Sequence, residues 1–353
     1  MNAPVLIMAG GTGGHIFPGI AVARELQARG IPVLWLGSSG GLETRLVPQA
    51  GIDLETLMIG GVRGKGVLTL LLAPLRIVRA VLGAWRIVRR VRPRSALALG
   101  GFAAGPGGIA AWLARVPLVV HEQNSIPGVT NRTLSHFAKK LLSGFSGAFA
   151  RGAWVGNPVR REIAAVAQPS SRFADRNGAM RLLVLGGSQG ARALNERVPQ
   201  ALAQLALCPQ VRHQCGAKFA EAARAAYAQA GVDASVEPFI DDMAAAYAWA
   251  DLVVCRAGAL TLAELAAAGV GSVLVPFPFA VDDHQTANAR AWVNAGAALL
   301  LPETDASADC LAILLRDLLG DRAHLLAMAQ AARTLAKPNA TAQIADACLG
   351  VAA

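Results

Sequence analysis

His15 closes the small-residue run 10–14, GGTGG, which follows the apolar segment 5–8. An unperturbed imidazole titrates near pH ~6.5, so a ring held there suits removal of a proton from a hydroxyl. The same ring could instead cap or hydrogen-bond the loop. Further glycine corners lie at 100–108 (GGFAAGPGG), 186–190 and 256–258. Where a strand runs through such a corner into a helix, backbone N–H groups converge on one point, which suits phosphate or pyrophosphate. Four carboxylates stand near these corners: Glu122, Glu264, Asp282 and Asp283. Glu264, expected in the first turn of a helix, either accepts bonds from ribose hydroxyls or complements the helix dipole. His121 and His284 sit in the polar clusters HEQN and DDHQ, whereas His136, His213 and His324 read as structural or solvated.

Several chemistries lack their signatures. GxGxxG fails in the first loop, where Gly11 and Gly13 are followed by Ile16, and the segment VLWLGSSGG ends without an acid for an adenosine ribose. There is no GxxxxGK[ST], no HExxH and no other metal-ligand cluster. The five cysteines form no CxxC, which argues against a disulfide framework or zinc site and fits a reducing compartment.

Short apolar runs alternate with Ala/Leu-rich stretches. Strands are expected at 5–8, 33–36, 96–99, 118–120 and 141–143, then at 182–185, 211–214, 252–255, 272–275 and 298–301. Helices such as 19–29, 191–207, 219–230 and 260–268 fall between them. This alternation means parallel sheets covered by helices. LIMAGGTGGH and LLVLGGSQGA repeat one plan, so two Rossmann-like units in series are expected, in a chain whose 353 residues suit two domains. The apolar N-terminus lacks a basic region and reads as a first strand, not a signal peptide. The uncharged stretch 95–114 holds five glycines and Pro106, a loop composition and not a membrane span.

Net charge is +10 from 33 bases and 23 acids, and its placement is uneven. Between Glu55 and Glu122 there are ten bases and no acid, so the whole excess lies in one segment. Within it a helix is expected between Pro74 and Pro93. Leu75, Ile77, Val78, Val81, Leu82, Trp85 and Val88 share one face, beside an arc of Arg76, Arg79, Arg86 and Arg90. That pattern suits an interfacial helix among anionic lipid headgroups, or an ordinary domain helix with a solvated basic face. Nucleic acid is poorly served, because base-reading side chains and interleaved aromatics are scarce.

Eight motifs then occur in one order: GGTGGHIFPG, GGFAAGPGG, HEQNSIPGVTN, GNPVR, GGSQGA, FIDDM, CRAGALTLAE and DDHQTANA. Together, and to about residue 340, the chain resembles the MurG family, the bacterial N-acetylglucosaminyltransferases of peptidoglycan synthesis. The resemblance implies an α/β GT-B fold, two Rossmann-like domains with parallel sheets facing a cleft. An N-terminal acceptor and membrane-associating domain is expected over 1–157, with a last helix at about 338–353 packing back on it, and a donor domain over 158–337. It also implies inverting transfer of GlcNAc from UDP-GlcNAc to the muramoyl 4-hydroxyl of lipid I, giving lipid II at the cytoplasmic face of the membrane. No cofactor or metal is required by that chemistry.

By carry-over, Arg160 and Ser188 meet the diphosphate, the Ile240 backbone reads uracil, and Ala259, Leu260, Thr261, Leu262, Ala263 and Glu264 run along the nucleotide sugar, with Glu264 on the ribose. Gln285 takes GlcNAc hydroxyls, and Asn124 with Thr12, Gly13 and Gly14 approaches the sugar. His15 is the candidate base, with Glu122 behind it. The acceptor pyrophosphate falls to Gly13, Gly14, His15, Gly101, Gly105 and Gly108. The membrane face comprises Leu75, Val78, Arg79, Leu82, Trp85 and Arg86. The implied partners are UDP-GlcNAc, lipid I, an anionic membrane surface and other cell-wall synthesis and division proteins, without nucleic acid. A related glycolipid glucosyltransferase and a non-catalytic nucleotide-binding module are the competing readings; GGFAAGPGG together with HEQN argues against the first.

Overall fold

The computed structural model describes residues 3–59, 73–187 and 190–351. The chain divides into two compact units, Met1–Val159 with Pro338–Ala353, and Arg160–Lys337. The first is built on β1 (Val5–Ala9), β2 (Val33–Ser38), β3 (Asp53–Leu57), β4 (Ser95–Gly100), β5 (Leu118–Glu122), β6 (Lys140–Ser143) and β7 (Ala153–Trp154). These form a seven-stranded parallel sheet of order β3-β2-β1-β4-β5-β6-β7. The second contains β8 (Arg181–Leu185), β9 (Gln210–Gln214), β10 (Ser235–Glu237), β11 (Leu252–Cys255), β12 (Gly271–Leu274) and β13 (Ala298–Leu300). Its six-stranded parallel sheet has the order β10-β9-β8-β11-β12-β13.

All ten expected strands form. Those that hydropathy missed, β3, β7 and β10, each lie at a sheet edge. An edge strand has one neighbour and an open flank, so DLETL, AW and SVE carry no apolar run to reveal them. Central strands are buried on both faces, and alternation then divides their side chains between two cores. In β1, Val5, Ile7 and Ala9 join the core beneath the helices Gly13–Ala28 and Ala340–Gly350. Leu6 and Met8 join the opposite core with Ala84, Ile87, Val88, Ala110 and Ala111.

The first helix runs over Gly13–Ala28, six residues earlier than expected, and continues through Pro18. Proline lacks the N–H for an i−4 bond, yet Pro18 is buried in the second turn, where packing outweighs that loss. Gly19 lies against Trp35, since a Cβ there would come within 2.4 Å of the indole. The last helix packs into the first unit through Ile344, Ala345, Ala347 and Cys348, with Asp346 paired to Arg29.

The helix expected between Pro74 and Pro93 forms over Ala73–Val91, but its apolar face is not single. Ala80, Ala84, Ile87 and Val88 turn into the core, which corrects the placement of Val88 on the outer face. Leu75, Val78, Leu82 and Trp85 remain exposed, alongside exposed Arg79 and Arg86. No helix among the described residues is long and apolar enough to cross a membrane.

Candidate functional site

In the first sheet chain order reverses between β1 and β4, and open α/β sheets bind ligands beyond such a switch point. Both strands end in double glycines that touch. A Cβ on Gly101 would stand 2.2 Å from the Gly10 carbonyl oxygen, and Gly101 has φ +88°. Only glycine fits there. Thr12 is the N-cap of helix Gly13–Ala28 and makes no side-chain cap bond; the His15 N–H goes to the Thr12 carbonyl at 3.1 Å, which leaves the Gly13 and Gly14 N–H groups to face an anion. Thr12 and Gly14 are exposed, while Gly13 and His15 are half-buried.

The His15 ring lies over Gly100, where a Cβ would approach Nε2 to 2.9 Å. Its Nδ1 stands 3.1 Å from the Gly10 carbonyl oxygen. A carbonyl only accepts, so Nδ1 carries the hydrogen and the neutral ring keeps its lone pair on Nε2. This is the tautomer a base needs.

Beneath this loop lies a group the sequence reading missed. Glu43 is fully buried, and its carboxylate accepts from Gly11 N at 3.1 Å, Ser38 N at 2.9 Å and Ser38 Oγ at 2.5 Å. Burial pushes its carboxyl upward, but these bonds prevail and hold it below the usual carboxylate range. A Cβ on Gly10, Gly37 or Gly41 would come within 2.3, 2.7 or 2.3 Å of Glu43. Those glycines therefore make room for a buried acid. The signal in the sequence was an acid two residues after a double glycine, in GSSGGLE.

Two expectations for this unit are corrected. Glu122 is not placed as a base: its carboxylate is buried and accepts from Asn124 N (2.9 Å), Asn124 Nδ2 (3.3 Å), Gly128 N (3.2 Å) and Asn131 Nδ2 (2.9 Å). Four donors fill a carboxylate's capacity, and Glu122 braces the loop that carries Asn124. Gly108 belongs inside helix Ala104–Leu113, where a Cβ would meet Leu134 at 2.6 Å, so it serves packing and faces no anion. Gly105 lies half-buried in the first turn of that helix. His121 is fully buried with its titration pushed down to about 4 by desolvation; Nε2 donates to the Gly156 carbonyl at 2.9 Å.

In the second unit the switch point lies between β8 and β11. The corner after β8 folds tightly onto the end of β9, with Gly190 at φ +76° and no room for a Cβ beside the Cys215 carbonyl. Ser188, expected on the diphosphate, lies outside the described residues. After β11, Gly258 is the N-cap of helix Ala259–Ala268 and has no side chain to satisfy that helix's first N–H groups.

Glu264 stands in the second turn of this helix, not the first, so dipole compensation does not explain it. It meets two partners. Arg160 donates from Nε and Nη2 to Oε1 at 3.2 and 2.9 Å, and the buried Tyr247 hydroxyl donates to Oε2 at 3.1 Å. Burial raises the Glu264 carboxyl, while the charge and hydrogen bonds of Arg160, then the bond from Tyr247, oppose it. Two residues expected at different parts of one ligand, Arg160 and Glu264, are thus joined directly. The side chain of Leu262 is wholly buried and its N–H goes to the Gly258 carbonyl. Ala259 also turns inward, whereas Leu260, Thr261 and Ala263 are half-buried.

The side chain of Ile240 is buried. Asp242 caps helix Met243–Trp249 by accepting from Ala245 N. Gln285 Oε1 accepts from Phe277 N at 2.9 Å, which turns its amide N–H groups to other acceptors. That loop is pinned by Arg256, which donates to the Val275 and Pro276 carbonyls, stacks on Phe277 and pairs with Glu303. Among the described residues no group of three or more His, Cys, Asp or Glu is placed to hold a metal ion.

The family comparisons agree with this geometry. Residues 5–143 match the N-terminal domain of glycosyltransferase family 28, and residues 181–344 match its C-terminal domain. A Xanthomonas campestris pv. campestris protein named UDP-N-acetylglucosamine–N-acetylmuramyl-(pentapeptide) pyrophosphoryl-undecaprenol N-acetylglucosamine transferase is 64% identical, over 97% of this chain and 81% of that protein. The Xylella fastidiosa protein of the same name is 60% identical, over 97% and 94%. The crystal structure of Acinetobacter baumannii MurG superposes with a TM-score of 0.87 at 41% identity, covering 98% of this chain and 99% of that one. Two parallel Rossmann-like sheets make this a GT-B fold, and with both domain models and whole-length relatives in agreement, the chain belongs to glycosyltransferase family 28, within its MurG group.

Proposed function

We infer that the chain is an inverting glycosyltransferase that moves GlcNAc from UDP-GlcNAc to the muramoyl 4-hydroxyl of lipid I, forming β-1,4-linked lipid II. The observation that carries this reading is the whole-length likeness to enzymes named for that transfer. In the second unit the glycine corner after β8, including Ser188, and the N-terminus of helix Ala259–Ala268 receive the donor diphosphate, with Arg160 neutralising it. The Ile240 backbone takes uracil, Glu264 the ribose and Gln285 the GlcNAc hydroxyls. In the first unit the N–H groups of Gly13 and Gly14, with Gly101 and Gly105, take the acceptor pyrophosphate.

In a single displacement the acceptor oxygen bonds to the anomeric carbon as the bond to diphosphate breaks. The electron pair leaves with UDP and configuration inverts. His15 Nε2 takes the hydroxyl proton. Arg160 and the oriented N–H groups stabilise the charge growing on UDP, so no cofactor is needed in this scheme. The exposed face of Leu75, Val78, Leu82 and Trp85, edged by Arg79 and Arg86, sits on an anionic membrane surface at its cytoplasmic side, where the undecaprenyl chain stays in the bilayer.

Incubation with labelled UDP-GlcNAc and a short-chain lipid I analogue tests the reaction. UDP release matched by a labelled disaccharide is expected. UDP release without disaccharide, or product from another nucleotide sugar alone, would overturn it.

A further inference from the structure

We propose that Tyr247 is a positioning residue that makes the donor site selective for ribonucleotides, by fixing the carboxylate of Glu264 from below. This rests on the ribose role given to Glu264 above. Tyr247 is fully buried, so its hydroxyl can touch no ligand and acts only through what it holds. That partner is Glu264 Oε2, at 3.1 Å. Arg160 holds the other oxygen with two N–H groups. Each carboxylate oxygen has two lone pairs: Oε1 is filled by the two Arg160 bonds, whereas Oε2 accepts only from Tyr247 and retains one acceptor site, and the side chain stays 19% exposed. Three donors thus set the plane of the carboxylate and leave one acceptor site, on the oxygen that Tyr247 holds, which a ribose hydroxyl can match.

Tyr247 is itself held in place. Its backbone carbonyl accepts from Arg172 at 3.1 Å, and its helix starts at Asp242, two residues beyond Ile240. The segment that offers backbone to the base therefore also carries the group that aims the ribose acceptor, which ties base reading to sugar reading. Burial and the neighbouring Glu264 charge keep the phenol protonated, so it serves as a donor throughout the working pH range. A site built around a substrate hydroxyl discriminates strongly against the analogue lacking it, because buried acceptors are then left unpaired.

The test compares binding of UDP and 2′-deoxy-UDP by titration calorimetry to the full chain, wild type and Tyr247→Phe, which keeps the ring and its packing. Wild type should prefer UDP by at least about tenfold. Tyr247→Phe should weaken UDP about tenfold, leave 2′-deoxy-UDP nearly unchanged, and so erase the preference, while kcat at saturating donor is retained. Equal weakening of both nucleotides, or an unchanged preference, would overturn the proposal. Glu264→Ala separates the two layers. If it erases the preference while Tyr247→Phe does not, Glu264 reads the ribose and Tyr247 does not position it. If the preference survives in Glu264→Ala, the ribose reading itself fails. Should Tyr247→Phe fold poorly, Tyr247→His, judged by the same ratio, keeps the question open to refutation: preservation of the preference by a ring that still donates supports the positioning role, and its loss together with UDP binding opposes it.

Discussion

The two switch points are built alike in backbone and differently in side chains. In the first unit, glycine packs on glycine, and the charged group that organises the loop, Glu43, is buried underneath with every bond directed to the protein. In the second, the charged groups Arg160 and Glu264 stand at the rim, paired yet open to solvent. A loop held from below presents only N–H groups and an imidazole, which suits a diphosphate and a proton transfer. A rim of paired charges offers acceptors as well as donors, which suits a nucleoside with hydroxyls to be counted. The same sheet topology thus carries two different settings for a charged group, one buried and one at the rim.

Arginine use differs in parallel. In the second unit, Arg172, Arg176 and Arg333 are spent on carbonyls at the ends of helices Met243–Trp249 and Ala259–Ala268, where a positive charge meets the negative end of the dipole. Their crowding is costly; burial, then Arg176 and Arg333, push Arg172 down to about 10. In the first unit, Arg76, Arg79, Arg86 and Arg89 stay exposed along one helix. These charges act outward.

Several measurements would break or sharpen this contrast. The largest effect is expected at His15: His15→Ala should lower kcat by roughly 10²–10⁴-fold with the donor KM nearly unchanged. Wild-type turnover would reduce the first switch point to a phosphate cradle. Glu264→Ala should raise the donor KM by roughly 10–100-fold while kcat changes little, and an unaltered KM would remove the rim carboxylate from ribose recognition. Arg79→Glu combined with Arg86→Glu should cut binding to anionic vesicles by about tenfold or more in a flotation assay, at ~1 kcal/mol per basic residue. Reversal of the exposed Arg192 in the second unit should leave binding as it was.

The smallest effect is expected at Glu43. Glu43→Gln should lower stability at pH 7 by about 1–3 kcal/mol in urea denaturation, since the buried bonds lose their charge and one donor loses its acceptor. Because the folded carboxyl titrates below its usual value of 4.5, its contribution is present above that pH and lost as pH falls through the folded value. The difference between variant and wild type should therefore shrink on acidification. A difference that stays constant down to acid pH would show that packing, not the ionised carboxylate, supports the glycine loop.

Much of the fold was legible. Central strands announced themselves because burial on both faces demands continuous apolar runs, and the glycine corners because few other residues make such turns. Three of the four edge strands, β3, β7 and β10, stayed silent, since half-exposed backbone pairing imposes little on composition. Candidates for the site were legible only where a side chain is half-buried near a glycine corner, as at His15 and Glu264. Residues acting from behind were hidden: Tyr247 sits in AAAYAWA, which reads as plain helix core, and Glu43 reads as a surface acid near a helix start.

Sequence alone also did not show how Glu122, Gly108 and Leu262 are buried, because proximity to a loop along the chain does not say which way a group points. Composition and order of residues by themselves determined two parallel α/β units, their glycine corners and the family. Only tertiary structure decided which carboxylate faces outward, which is filled by backbone donors, and which side of the helix Ala73–Val91 stays bare. Those outcomes depend on partners brought from distant strands, and hydrogen-bond saturation and burial are properties of the assembled neighbourhood, not of any segment.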